Sequence, residues 1–474
     1  MARVSQVVRR ILKWCGIAVA GVVGLALLLV VTALAINAHD QTLSAQAQAL
    51  LVAPPNPYPG EDNLYFAIVG FDAPVGASPT RAGQAKVEEF NRSLPEKLRD
   101  PSLESLTAAP QRTPGGLEFQ GKFNFAVRSY WREVPAHRAE VEQLLAANRE
   151  LLARYEDLHH RHGYCDTAQP SLVGAPLPLL PGDLRTLYLA QMVLQLHSPE
   201  PHVRQQALDD LHDDVATWRA VLTGQGTLVS TMLAIAYLHW DELVLADAIA
   251  DPGFALPLEA RDAERIAPVF ELGDWNIARA FAAEFRAQDA MLRQTARINE
   301  TGGFAPPDPD AGPLRRALQR SWAGTGAPFF KLHATENLFA ALAARRMRQA
   351  DFSAGAAGAG PEPSLVNLRM IYNPGGKGLA TLVTSFDEQY PSRAADGAAF
   401  QRLLRLAYEI RRQQVAAAAI PAFLTQHPEW STHPAGGRPF IFDPGSGELR
   451  VPTVARQPPK RAFSVPVWKA APAG

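Results

Sequence analysis

The chain has 474 residues, 47% of them hydrophobic, and a net charge of −1. Four cations precede its first acid, so the remainder carries −1 minus 4, or −5, a mildly acidic balance that excludes the basic face of a nucleic-acid binder. Two cysteines, Cys15 and Cys165, exclude a disulfide-built scaffold and leave packing in a large core to stabilise the fold.

Arg3, Arg9, Arg10 and Lys13 precede an uncharged run from Ile17 to Ile36, and no acid appears before Asp40. Twenty residues of helix at about 1.5 Å each span the roughly 30 Å hydrocarbon core of a bilayer. We read residues 1–13 as a cytoplasmic N-terminus and 14–37 as a transmembrane anchor that includes Ile17, Ala20, Gly24, Leu28 and Ile36. The positive-inside rule then sends the rest of the chain across the membrane. A cleaved signal peptide is the alternative, because Ala33-Leu34-Ala35 has the form of a cleavage site, but the apolar run exceeds the usual length of such a segment. Gly16, Ala20 and Gly24 form a small-residue stripe that suits self-association. Richness in Ala, Arg and Pro, with one exported cysteine, fits a bacterial inner-membrane protein facing the periplasm.

Beyond the anchor, 38–62 reads as a spacer, with helix extending to Leu51 and then Pro54, Pro55, Pro57 and Pro59 stiffening the chain. A helical domain is expected over 63–300. It holds short helices at Leu64–Phe71 and Ala82–Leu98 and a hairpin across Gly121 built on Leu117, Phe119, Phe123 and Phe125. One long helix from Pro135 to His162 follows, and Asp183 caps a helix running to His197. Glu200–Leu222 and Thr227–Ala250 form an antiparallel pair, and Ala278–Ile298 is a further helix. Residues 301–313 read as a linker and 314–453 as a second helical subdomain. Its helices are Leu314–Trp322, Thr335–Ala350, Leu379–Gln389 and Ala398–Ala419, its mobile stretch is Ser353–Pro363, and a β-hairpin closes it around Asp443-Pro444-Gly445-Ser446-Gly447. Residues 454–474 read as a basic, proline-rich tail. The fold class is thus mainly α, with an N-terminal transmembrane helix, a multi-helix extracytoplasmic domain and a small C-terminal β-hairpin.

A long helix, a short one, and then His433-Pro434-Ala435-Gly436-Gly437-Arg438-Pro439-Phe440 leading into the hairpin resembles the close of single-pass bacterial inner-membrane proteins with a helical periplasmic domain. Those have an acidic residue where His433 stands and a lysine at Arg438. The resemblance covers about a tenth of the chain and implies an architecture without assigning catalytic residues.

Candidate chemistry is sparse. His159, His162 and Cys165 are the types that ligate zinc or copper, with His160 and Asp166 beside them. The alternative is a polar helix end whose histidines suit the helix dipole. Cys165 is either buried and inert or exposed and able to link two copies. Asp209, Asp210, His212, Asp213 and Asp214 do not converge on one helix face and read as a solvated surface, as does His239-Trp240-Asp241-Glu242. Asn373-Pro374-Gly375-Gly376-Lys377-Gly378 lacks the spacing of a phosphate loop and reads as a turn starting a helix. Motifs of serine hydrolases, penicillin-binding enzymes, zincins and thioredoxin-like proteins are absent from the sequence. A carboxylate-pair glycosidase needs no fixed spacing, and Glu284 and Asp289 exemplify acids able to serve one. Arg456, Lys460, Arg461 and Trp468 make the tail a candidate contact for a partner or for anionic head groups, against the alternative of a plain disordered terminus.

The sequence therefore predicts a membrane-anchored envelope protein that binds a partner or organises a complex, without a cofactor and without nucleic acid. Its partners are the lipid bilayer and an envelope protein or a second copy of itself. A periplasmic hydrolase acting on wall or glycan material through two carboxylates is the alternative.

Overall fold

Apolar residues recurring every three to four positions dictate helices, and the computed structural model has sixteen of them among the described residues, with one small antiparallel sheet near the C-terminus. Those residues are 2–98, 115–171, 174–300, 329–351, 371–387, 389–453 and 464–467, with the backbone alone described for 2–12, 128, 298–300 and 382–387. The expected helix at 314–322, the linker at 301–313, the stretch from 353 to 363 and the tail residues Arg456, Lys460, Arg461 and Trp468 lie outside them.

The chain forms two compact units that do not follow the expected boundaries. The smaller comprises Met1–Ala49, Met291–Leu342 and Glu362–Ser385; the larger comprises Leu50–Ala290, Ala343–Pro361 and Phe386–Gly474.

In the smaller unit α1 (Ala2–Ile36) ends at Asn37 rather than continuing to Leu51, and helix resumes only at α2 (Ala45–Leu51). The residues between are therefore folded structure, not spacer. The larger unit opens with α3 (Leu64–Val69) and α4 (Pro79–Lys97). These cross at two glycines: a Cβ on Gly70 would stand 2.0 Å from the Pro79 carbonyl, and one on Gly83 would stand 1.9 Å from that of Phe66.

The long helix expected over 135–162 is three helices, α5 (Tyr130–Ala136), α6 (Arg138–Ala147) and α7 (Arg149–Asp157), followed by a single 3-10 turn. The breaks fall at His137 and Asn148, whose φ of −112° and −111° leave the helical range. Asn148 is buried because its amide pairs with the backbone of Gln120 in both directions, at 2.8 and 2.9 Å. The same contact replaces the hairpin expected at 117–125. That segment forms no strand, and Phe123 N–H reaches the Asp183 carboxylate at 3.2 Å. Asp183 thus precedes α8 (Leu184–Leu196) without capping it through its side chain.

The helices α9 (Pro201–Thr223) and α10 (Leu228–Ala250) form the expected antiparallel pair, with Thr227 accepting from Ser230 N–H to start α10. The pair packs against α8 and α15 (Tyr390–Arg412) around a single apolar core. The remaining helices are α11 (Ala263–Ile266), α12 (Ala278–Glu300), α13 (Leu332–Gln349), α14 (Pro374–Asp387) and α16 (Ile420–Gln426). Strands β1 (Ile441–Asp443) and β2 (Glu448–Arg450) make the hairpin with Phe442 opposite Leu449, and Gly447 turns it at φ +70°. A third strand, β3 (Ser464–Pro466), was expected to be tail. It pairs with β2, and Val465 is fully buried.

Candidate functional site

Three polar constellations stand out from the apolar core. The first joins four helical elements. Arg185 lies one residue inside α8, Asp214 on α9, Asp241 on α10, and Tyr155 near the end of α7. Asp214 and Asp241 are 0% exposed and Arg185 2%. One guanidinium nitrogen, Arg185 Nη2, lies 2.7 Å from Asp214 Oδ2 and also contacts Asp241 Oδ1. Tyr155 donates to Asp214 Oδ1 at 2.8 Å, Trp218 Nε1 donates to the Tyr155 hydroxyl at 2.9 Å, and His159 Nε2 stands 3.3 Å from the same Asp214 oxygen. The rings of Tyr155, Tyr188 and Tyr237 surround the guanidinium at 5.5–5.7 Å.

Two acids around one cation cannot both ionise cheaply without water. Burial alone would raise Asp214, but Arg185 and then the His159 contact outweigh it and hold the carboxyl below the ordinary range. Burial drives Asp241 well above that range, with attraction to Arg185 opposing and the Asp214 charge reinforcing the rise. Asp241 Oδ2 makes no hydrogen bond, and an enclosed acid without a donor favours its protonated form. Glu242, 3% exposed, is likewise driven up by burial. Arg185 thus holds Asp214 toward its charged form, while burial holds Asp241 and Glu242 toward their neutral forms. The arrangement joins α7 to α10 and is sealed from solvent.

These positions overturn the reading of 209–214 and 239–242 as solvated faces. Of the first group Asp213 is exposed, Asp209 and Asp210 are half-buried, and Asp214 is inside. A signal was present in the sequence. Asp214 follows Leu211 by three residues and precedes Trp218 by four, which puts it on the buried stripe; Asp241 stands likewise between Leu238 and Leu245.

The metal candidates are not brought together. His159 faces Asp214, His162 is exposed, and Cys165 is buried with its thiol 3.5 Å from Gln225 Oε1. Burial, reinforced by Asp166, pushes that thiol up to about 11. Among the described residues no group of three or more His, Cys, Asp or Glu is placed to hold a metal ion. Glu284 is half-buried and Asp289 buried on α12; five residues apart, they lie about 140° from each other around the axis.

The second constellation lies in the smaller unit, where α1 ends. Asn37 donates to the Ile371 carbonyl at 2.6 Å and accepts from Asn373 N–H at 2.8 Å. Asp40 accepts from His333 and Ala334 N–H, at 2.9 and 3.0 Å, and so caps α13 from a distant part of the chain. Asn373, at φ +50°, accepts from Lys331 and Gly376 N–H and starts α14, which is the expected role of that glycine-rich turn. Glu336, fully buried, meets Arg293 at 2.9 Å and His333 at 2.8 Å. Upstream, Lys13–Ile36 forms a 24-residue apolar helix with none of its most apolar window buried, and a Cβ on Gly16 or Gly24 would meet nothing.

The third is an open groove of 540 Å³ in the larger unit between α6, α7, α8 and α9. Leu145, Leu152, Leu194 and Val203 form its apolar part. Arg138 (paired with Glu142 at 3.2 Å), Arg149, and Glu156 bonded to Gln191 at 3.1 Å form its polar part.

Comparisons with family models, with curated proteins and with solved structures each returned no match.

Proposed function

We propose that the chain is a single-pass protein of the bacterial inner membrane, N-terminus in the cytoplasm and helical domain in the periplasm, which binds an envelope partner and performs no catalysis. The observation that carries this reading is the exposed apolar helix Lys13–Ile36, whose distal end is hydrogen-bonded into a folded unit through Asn37 and Asp40. About 36 Å of helix exceeds the hydrocarbon core, and its exposed apolar surface needs lipid around it. The other long apolar helix, Leu228–Ala250, is 56% buried over its most apolar window and carries the buried Asp241 and Glu242, as a core helix does.

The groove between α6 and α9 is the partner site in this reading. Arg149 supplies a cation at its edge, and the leucines supply apolar contact. A hydrolase would need two acids flanking a water-filled space. Asp214 and Asp241 share one guanidinium nitrogen in a sealed interior, which disfavours that use of them.

The test is a photo-crosslinking residue in place of Leu145 in full-length protein in its membrane. One dominant envelope protein captured at comparable abundance, and lost on Arg149→Glu, is the expected result. Self-adducts alone, or none, would overturn partner binding through this groove.

A further inference from the structure

We propose that the smaller unit touches the membrane a second time: the exposed face of α14, with Ile371 just before it and Leu379 within it, rests in the boundary between phospholipid head groups and acyl chains. This rests on the anchor reading above and extends it from one spanning helix to a hydrogen-bonded foot beside it.

Position carries the argument. If Lys13–Ile36 crosses the bilayer, its length of about 36 Å exceeds the 30 Å core but not the 40–45 Å that includes both head-group layers. Asn37 then lies in the head-group layer. Its amide bonds the Ile371 carbonyl at 2.6 Å, so Ile371 is held at that same depth. Ile371 is nonetheless 46% exposed, and Leu379 is 39% exposed. Gly375, Gly378 and Leu379 recur at three- and four-residue intervals, all exposed, and a Cβ on Gly378 would meet nothing. This is a smooth face with an apolar edge, fixed to the end of a spanning helix.

The surrounding groups suit an interface. Trp14, 69% exposed, stands at one end of the span, and Tyr372, half-buried with its hydroxyl on the His39 carbonyl at 3.3 Å, stands at the other. Aromatic residues with a polar tip concentrate at both membrane surfaces. Ile371, held at the depth of Asn37, meets the acyl boundary there, and α14 carries that contact on to Leu379.

The experiment uses full-length protein in liposomes of phosphatidylethanolamine and phosphatidylglycerol. Ile371→Cys, Leu379→Cys and, as a mid-span control, Leu28→Cys are each made in a Cys15→Ser/Cys165→Ser background and labelled with an environment-sensitive fluorophore. Far-UV circular dichroism checks that each variant is folded. Expected are blue-shifted emission, quenching by shallow doxyl lipids and loss of iodide quenching at 371 and 379, with deep quenching at 28. Iodide quenching at 371 and 379 with a lipid-quenched label at 28 overturns the foot and leaves the anchor standing. Iodide quenching at all three positions overturns both.

Discussion

Asp241→Asn tests the raised Asp241 carboxyl most directly. The amide keeps the acceptor for Arg185 Nη2 and supplies a permanent donor toward Asp214, while removing one titration. Because burial raises Asp241 in the folded state, the native protein holds a proton that the unfolded chain loses near pH 3.9. The stability from that proton is complete below the unfolded value and falls by about 1.4 kcal/mol per pH unit as pH rises toward the folded one. The variant lacks this slope. Its stability relative to wild type should therefore improve by about 1.4 kcal/mol for each pH unit above the unfolded value, until the folded Asp241 itself titrates. Arg185→Met is the contrasting change. It leaves Asp214 buried without its cation and should cost about 3–5 kcal/mol, most of which Arg185→Met/Asp214→Asn recovers. Urea unfolding of detergent-solubilised full-length protein, followed by tryptophan fluorescence at matched m-values, reads both effects. Parallel pH curves for Asp241→Asn and wild type, or an Arg185→Met loss below about 1 kcal/mol, would refute the reasoning.

Three more outcomes are expected. Gly83→Ala drives a methyl into the Phe66 carbonyl and should destabilise by about 1–3 kcal/mol, whereas Gly378→Ala, with open space around it, should gain up to about 1 kcal/mol in helix propensity; melting temperatures distinguish the two. Asp40→Ala removes the distant cap of α13 and should cost about 1 kcal/mol, seen as roughly fivefold faster amide exchange at His333 and Ala334. Cys165, 4% exposed and with its thiol pushed up to about 11, should resist maleimide at about pH 7.5, roughly one unit below the thiol's ordinary value, in a Cys15→Ser background and react fully in urea. Labelling of the native protein at the rate of a free thiol would contradict that placement.

The elements were legible wherever local pattern decides them. The apolar run before Asn37, the α9–α10 pair and the turn at 443–447 follow from periodicity and turn chemistry within a few residues of each other. Contacts between distant segments were not legible. His137 and Asn148 interrupt an otherwise helical pattern, and the reason is the backbone of Gln120, 28 residues from Asn148. Val465 looked like part of an extended tail because strand pairing depends on a partner that local sequence does not name.

The candidate sites divide the same way. By itself the sequence determined that the helix before Asn37 is long and apolar enough to cross a membrane, since length and hydropathy are properties of a single segment. The spacing that puts Asp214 and Asp241 on apolar stripes was present too, although both were read there as solvated. That these acids are tolerated there was decided only by the tertiary structure, which brings Arg185 from a third helix to within 2.7 Å of Asp214 and excludes water around all three. The same holds for Asn37 and Asp40. Each is an ordinary polar residue after an apolar helix, given its role by partners about three hundred positions away. Charge burial and capping at a distance depend on which helices meet, and periodicity within one helix carries no record of that.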